Sequence, residues 1–302
     1  MSPPAGLLAA LADPDPAGAL RDLDADGRLT PFFPELEAGR GFVQPVRHHY
    51  DVLGHNLAAV AALGDALGLS SAGVALRETL GWMDMDEALG GEIDGLPVRL
   101  LLRLSTLLHD VGKPAQATYV DGALKFPRHG PRGAEMMRER LPELGFGPAA
   151  TDFVARMIRY HLRPGELVKA WPPTDHAIRR FVNDLDGRVL PLMLVNLADG
   201  WATRGPGYTE ENFRRHCGFV NYVAARAWAV VQPGDPPLVT GEELMTTFDL
   251  EGGRTLGTVL KAVRAAQDGG HVRDREAALA LARELLADGR PDDAATPHTH
   301  GR

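Results

Sequence analysis

The stretch Val98–Val111, VRLLLRLSTLLHDV, decides the fold class. Apolar residues at 98, 100, 101, 102, 104, 107, 108 and 111 leave little polar surface, which is the pattern of a buried helix. The run ends on His109 and Asp110, and placing an imidazole and a carboxylate there is expensive unless each finds a partner. Outward from this stretch the periodicity stays helical. Thr151–Leu162 carries Phe153, Val154, Met157 and Ile158 at helical spacing, with Thr151 as the expected N-cap. Val189–Ala202 is a second apolar segment, with Pro191 in its first turn, where proline is tolerated. Ala277–Asp288 reads as an amphipathic helix. No alternating strands and no tandem repeat stand out, and the fold class expected is all-α. Gln232–Pro237 (QPGDPP) reads as a linker between a main body and a smaller C-terminal piece. The polar residues from about Pro291, with His298 and His300, read as a disordered tail.

The composition fits an ordinary globular protein: 302 residues, 44% hydrophobic and 24% charged. That length buries a sizeable core without staples. Lys and Arg total 32 against 40 Asp and Glu, a net charge of −8, which argues against a broad nucleic-acid-coating surface but not against a local basic pocket. Cys217 is the only cysteine, so no intrachain disulfide forms and a reducing, cytoplasmic setting is expected. Met1–Leu11 carries no positive region, so no signal peptide is expected. No apolar run approaches the roughly 18 residues of a spanning helix, so no membrane partner is expected.

The chemistry-bearing feature is an ordered series of His and Asp inside stretches that otherwise read as core: His55, His109 with Asp110, His129, His161 and Asp199. Several such groups buried together point to a divalent cation. The series, and the stretches PFFPELEAGRGFVQP (31–45), HHYDVLGHNL (48–57), LLHDVGKP (107–114), FPRHGPRGA (126–134), RYHLRPGEL (159–167) and NLADGWATRG (196–205), resemble the HD superfamily of metal-dependent phosphohydrolases. They resemble in particular the HD domain of bacterial CCA-adding tRNA nucleotidyltransferases. LVTGEELMTTFDLEGGRTLGTVLKAV (238–263) is similar to the tail that follows that domain. The resemblance covers about residues 17–288. It implies a helical HD core with a small helical C-terminal extension: a helical lead-in over 1–30, the HD domain over 31–230, the tail over 238–288, and a disordered end over 289–302. About 30 residues precede Pro31, and none shows the Gly-Ser motif and paired Asp of the family's nucleotide-adding head. Nucleotide addition is therefore not carried over, and the hydrolase half is what the resemblance implies.

By the same resemblance His55, His109, Asp110 and Asp199 form the basic metal site. His129 and His161 take the places of the extra histidines found in two-metal members, where the Asp of the pair bridges. One or two divalent ions are implied. Mixed imidazole and carboxylate ligands suit Mn, Fe, Co, Ni or Zn, and Mg less well. A metal lowers the pKa of its water, so metal-bound hydroxide is the expected nucleophile, and a second metal would clamp the phosphoryl oxygens. Asp110 and Lys113 are the expected catalytic residues.

Phosphate requires positive charge. Lys113 follows the His-Asp pair by about one turn, Arg163 follows His161 and Arg204 follows Asp199; the arginines suit forked phosphate contacts. Pro131–Arg180 holds nine Lys/Arg and six Asp/Glu, a local excess of +3. His48 and His49 stand about two turns before His55, and residues seven apart share a helix face, which makes His49 a candidate for substrate contact, with surface or hydrogen-bonding roles as the alternative. His216 reads as a packing histidine, because the chain offers no second cysteine for metal spacing.

The expected activity is hydrolysis of nucleotide phosphomonoesters or cyclic phosphodiesters. Two alternatives are an RNA- or nucleotide-binding module acting with a separate nucleotidyltransferase, and a triphosphohydrolase on nucleoside triphosphates. The partner expected is a nucleotide or phosphate ester, with RNA as a second candidate. The sequence does not specify the oligomeric state.

Overall fold

The computed structural model describes residues 2–45, 48–68, 70–169, 171–231, 237–268 and 271–287. The chain divides into two units, Met1–Val231 and Gln232–Arg302. Among the described residues both are helical, and the strands are confined to two short hairpins in the first unit.

In the first unit the Val98–Leu108 helix is buried on nearly every side, with Leu101, Leu102, Leu104, Leu107 and Leu108 fully enclosed. Its two internal hydroxyls turn back on their own helix, Ser105 Oγ donating to Leu101 O (2.7 Å) and Thr106 Oγ1 to Leu102 O (2.9 Å), so neither is left unsatisfied in the core. Around it pack the Val52–Leu67 and Pro148–Tyr160 helices and the largely buried Val189–Arg204 helix. The helices Ala5–Ala12 and Pro16–Ala25 place Leu7, Leu11 and Leu20 in the same core. Residues 1–30 thus fold into the main body, down to Arg103 Nη1 donating to Leu11 O at 2.6 Å.

Three local features differ from the sequence expectation. The Val98 helix stops at Leu108, and 109–113 form a turn tightened by bonds from Val111 N to Leu108 O and from Lys113 N to Asp110 O. Thr151 is not an N-cap: the helix starts at Pro148, whose ring presets the first helical φ, and Thr151 is buried one turn inside. The two hairpins, Glu92–Ile93 with Leu96–Pro97 and Thr118–Val120 with Ala123–Lys125, had no alternating pattern to announce them. Their Asp94-Gly95 and Asp121-Gly122 turns, all four residues at positive φ, are the signal that was present.

The helix that carries His55 starts at Val52 under an Asp51 N-cap. Asp51 Oδ1 accepts from Gly54 N (2.6 Å), and its other oxygen accepts from Gly41 N (2.7 Å). Asp51→Ala removes both bonds at once. It is expected to destabilise the fold by about 1–2 kcal/mol, read as a lower midpoint in urea at unchanged slope.

The second unit is the helices Gly241–Phe248, Arg254–Asp268 and Arg275–Ala287 around a small core of Val239, Leu244, Val259, Val263, Ala278 and Ala282. Most of the expected linker, residues 232–236, and the expected disordered end, 289–302, lie outside the described residues. Among the described residues no single helix is long and apolar enough to cross a membrane.

Candidate metal centre

Each residue of the His/Asp series sits where an element begins or ends, or faces the core from a helix interior. His55 lies in the first turn after the Asp51 cap, His109 closes the Val98–Leu108 helix, and His129 opens the His129–Glu143 helix. His161 closes the Pro148–Tyr160 helix, and Asp199 projects from Val189–Arg204. All four histidines and Asp110 are buried, and the Asp199 side chain is 18% exposed.

The groups form two clusters that share one residue: His55, His109, Asp110 and Asp199 in the first, Asp110, His129 and His161 in the second. Asp110 Oδ2 lies 3.3 Å from His55 Nε2 and 3.4 Å from His109 Nε2. Oδ1 lies 3.1 Å from His129 Nε2 and 3.5 Å from His161 Nε2. Asp199 Oδ1 is 3.1 Å from His55 Nε2 and 3.6 Å from His109 Nε2. One carboxylate therefore faces a different cluster with each oxygen.

The backbone decides the imidazole tautomers. Nδ1 of His109, His129 and His161 lies 2.7–2.8 Å from the carbonyls of Thr106, Phe126 and Ile158. A carbonyl only accepts, so each Nδ1 carries the proton, and in the neutral ring each Nε2 presents a lone pair to the cluster. His129 and His161 then face one another Nε2 to Nε2 at 3.1 Å, and His55 and His109 at 3.2 Å. The two lone pairs of His129 and His161 at that separation repel unless a proton or a cation lies between them. Asp110 Oδ2 is buried, faces the His55 and His109 rings and is touched by the Lys113 ammonium. This donor set fits divalent transition-metal ions, and the carbonyl-fixed rings are the usual outer support of such sites.

The electrostatics agree. Burial works against the charge of Asp110, but Lys113, His109, His129 and His161 outweigh it and hold the carboxyl well below the usual carboxylate range. Asp199 is likewise held low, against its burial, by His109 and His55. Burial pulls His55 down, yet Asp110 and Asp199 together raise it to about 9.

Among the expected phosphate contacts, Lys113 is buried, touches Asp110 Oδ2 and donates to Gln44 Oε1 at 2.7 Å. Arg163 is engaged elsewhere, pairing with Glu166 (3.2 Å) and Asp184 (3.1 Å). Arg204 is exposed and has no ion pair or hydrogen bond among the described residues. His48 reaches His55 (ring centroids 5.5 Å apart) from a loop, because the helix that would have aligned them begins only at Val52. His49 is exposed beside the Thr203–Gly205 turn, its N–H donating to Thr203 O.

Three supporting residues escaped the sequence reading. Thr203 Oγ1 donates to Asp199 Oδ1 (3.2 Å), at a spacing of four that a helical reading of 189–204 contains. Asn196 donates to His161 O (3.4 Å), and Gln44 comes from the loop that ends the 31–45 stretch, where no pattern singles it out.

Glycines let these elements meet. A Cβ on Gly112 would lie 2.2 Å from His129 O and 2.7 Å from Gly133 N, both backbone atoms that cannot swing aside. Gly112→Ala must push the His109–Asp110 turn away from His129. Its expected cost is about 1–3 kcal/mol, with weakened metal binding, checked by thermal melting and calorimetric titration with Mn²⁺.

A helical unit that gathers an adjacent His-Asp pair, outlying histidines and a distal Asp defines the HD class, and residues 78–200 match the HD domain family. The chain carries an HD domain, with His55 brought to it from outside the matched span. Over this domain and the tail it is related to tRNA nucleotidyltransferases. It is 32% identical to the A-adding tRNA nucleotidyltransferase of Deinococcus radiodurans over 269 residues, 88% of this chain and 54% of that enzyme. The CC-adding tRNA nucleotidyltransferase of Thermus thermophilus is 29% identical over 299 residues, 93% of this chain and 57% of the relative. A bifunctional uridylyltransferase/uridylyl-removing enzyme of Novosphingobium aromaticivorans is 28% identical over 200 residues, 64% of this chain and 19% of the relative. The chain spans about half the length of the two tRNA enzymes.

Proposed function

We propose that the chain is a metal-dependent phosphohydrolase that cleaves phosphomonoesters or cyclic phosphodiesters of nucleotides. The observation that carries this reading is the placement of Asp110, whose two oxygens face two separate His clusters. His55, His109, Asp110 and Asp199 would hold one cation, and Asp110, His129 and His161 would hold a second. The bound cations supply charge neutralisation and activation of water near neutral pH. The rings of His109, His129 and His161 are held to backbone carbonyls, so the donor set is organised before substrate arrives. Thr203 orients Asp199, and Gln44 holds Lys113 against Asp110. Lys113, an ammonium next to the shared carboxylate, steadies a phosphoryl or departing oxygen. Arg204 supplies the outer positive charge. Arg163 is left out of this assignment because its guanidinium is committed to two carboxylates.

Kinship with an enzyme whose name includes uridylyl removal supports phosphoester cleavage. A second reading, that the phosphoester belongs to RNA, is favoured by the two tRNA-enzyme relatives. The test is turnover of 2′,3′-cyclic nucleotides, nucleoside monophosphates, nucleoside triphosphates and 4-nitrophenyl phosphate with Mn²⁺, Co²⁺, Ni²⁺ or Mg²⁺. Release of orthophosphate, or opening of the cyclic ester, is expected. Tripolyphosphate from the triphosphates would shift the assignment to a triphosphohydrolase, and no turnover with any metal would reject the enzyme reading.

A further inference from the structure

A second feature of the first unit borders the metal centre without belonging to it. A cavity of about 780 Å³ lies between the Arg163–Lys169, Val189–Arg204 and Glu210–Val231 helices. That size falls in the range of small-molecule sites, about 300–1,000 Å³. One wall is aromatic: Trp171 is 53% exposed and stands 4.6 Å from Tyr222 and 6.0 Å from Phe219 between ring centroids. Gly218 keeps the wall open, since a Cβ there would meet nothing within 4 Å. Two cations line the cavity, Arg204 and Arg215, and of these Arg215 is paired with Glu211 (3.4 Å).

The inner end is polar, neutral and tied to the metal centre. His216 Nε2 donates to Asn196 Oδ1 (3.0 Å), which leaves Nδ1 to accept from the Tyr208 hydroxyl (3.1 Å). Asn196 in turn donates to the carbonyl of His161, and Gly200, next in sequence to Asp199, lines the same cavity. An occupant therefore meets an aromatic face, a neutral polar end and one unpaired cation, within one residue of two groups of the metal centre.

We propose that this cavity is the base-binding half of the active site, taking the ring of a nucleotide against Trp171 and Tyr222 while Arg204 faces its anionic part. The proposal rests on the phosphohydrolase reading for the other half. Aromatic walls bind bases by their faces with little regard to sequence, and arginine adds charge complementarity toward phosphate. The bare apolar face of a partner protein would gain nothing from Arg204 or from the polar end that Asn196 ties to the His161 carbonyl.

The test is calorimetric titration of AMP into the EDTA-treated full chain, where no hydrolysis intervenes, with inorganic phosphate as the base-free probe. Trp171→Ala is expected to weaken AMP binding about tenfold, the scale of one lost stacking partner, with phosphate binding changed far less. Gly218→Met fills the cavity from a helix position that tolerates a side chain. It is expected to keep or raise the melting temperature while abolishing AMP binding. With metal restored, the ratio of kcat/KM for AMP to that for 4-nitrophenyl phosphate should fall about tenfold in Trp171→Ala. AMP affinity unchanged in both variants, or equal losses for AMP and phosphate, overturns the proposal. The two readings fail separately. A chain that hydrolyses nothing yet binds AMP through Trp171 loses the hydrolase assignment and keeps the pocket. One that hydrolyses nucleotides with an unaltered ratio in Trp171→Ala does the reverse.

Discussion

Asp110→Ala is expected to abolish metal binding at both clusters and to lower phosphoester turnover by at least about 10²–10³-fold, the scale seen when one transition-state stabiliser is removed. The reason is geometric: Oδ2 serves the His55–His109–Asp199 cluster and Oδ1 the His129–His161 cluster. A single truncation therefore removes a ligand from each. His161→Ala touches one cluster only and should leave one metal per chain where the wild type binds two. The obvious complication is stability. Lys113 is buried against Asp110, and stripping a buried charge of its partner costs about 3–5 kcal/mol. The double variant Asp110→Ala/Lys113→Met removes both charges and is expected to recover the fold without recovering turnover. Metal content by elemental analysis, read beside activity, checks the result. Unchanged stoichiometry or undiminished turnover in Asp110→Ala would refute the bridging assignment.

Much of this site was legible in the sequence, for a physical reason. Imidazoles and carboxylates inside apolar stretches demand partners, and the ordered series from His55 to Asp199 named the groups that meet. The helices were legible where periodicity was long, as in Val98–Leu108 and Val189–Arg204. Reading failed where a short-range choice was settled by tertiary packing. The first helix to carry a ligand begins at Val52 under Asp51, so His48 approaches His55 from a loop and His49 stays outside. Arg163 looked suited to phosphate by position, but Glu166 and Asp184 claim it. Gln44 lies in the quoted 31–45 stretch, but nothing in a loop says which of its side chains will turn inward. His216 read as mere packing, yet through Asn196 it supports the backbone of His161. The Asp-Gly hairpins were readable and went unread because their strands are two or three residues long.

The metal-free chain should lose stability as pH rises from about 6.5 to about 9, and added metal should restore it. Burial alone would depress the pKa of His55, but Asp110 and Asp199 raise it to about 9. The folded state therefore holds this proton more tightly than the unfolded state, where histidine sits near 6.5. The resulting stabilisation is fully present below the unfolded value and disappears as pH climbs through the folded one. The difference between the two values corresponds to about 3 kcal/mol. Asp110 and Asp199 act in the opposite direction. Their folded pKa values are depressed, so their contribution is present above the ordinary carboxylate range and fades as pH falls through it. A divalent ion needs the His55 Nε2 lone pair that the proton occupies, so metal binding at neutral pH should release protons. It follows that the gain in melting temperature on adding Mn²⁺ to the EDTA-dialysed chain should widen from pH 6 to pH 9. In His55→Gln the metal-free profile over that interval should flatten, because the titrating group is gone. A metal-induced gain independent of pH, or the same slope in His55→Gln, would remove His55 from the ligand set.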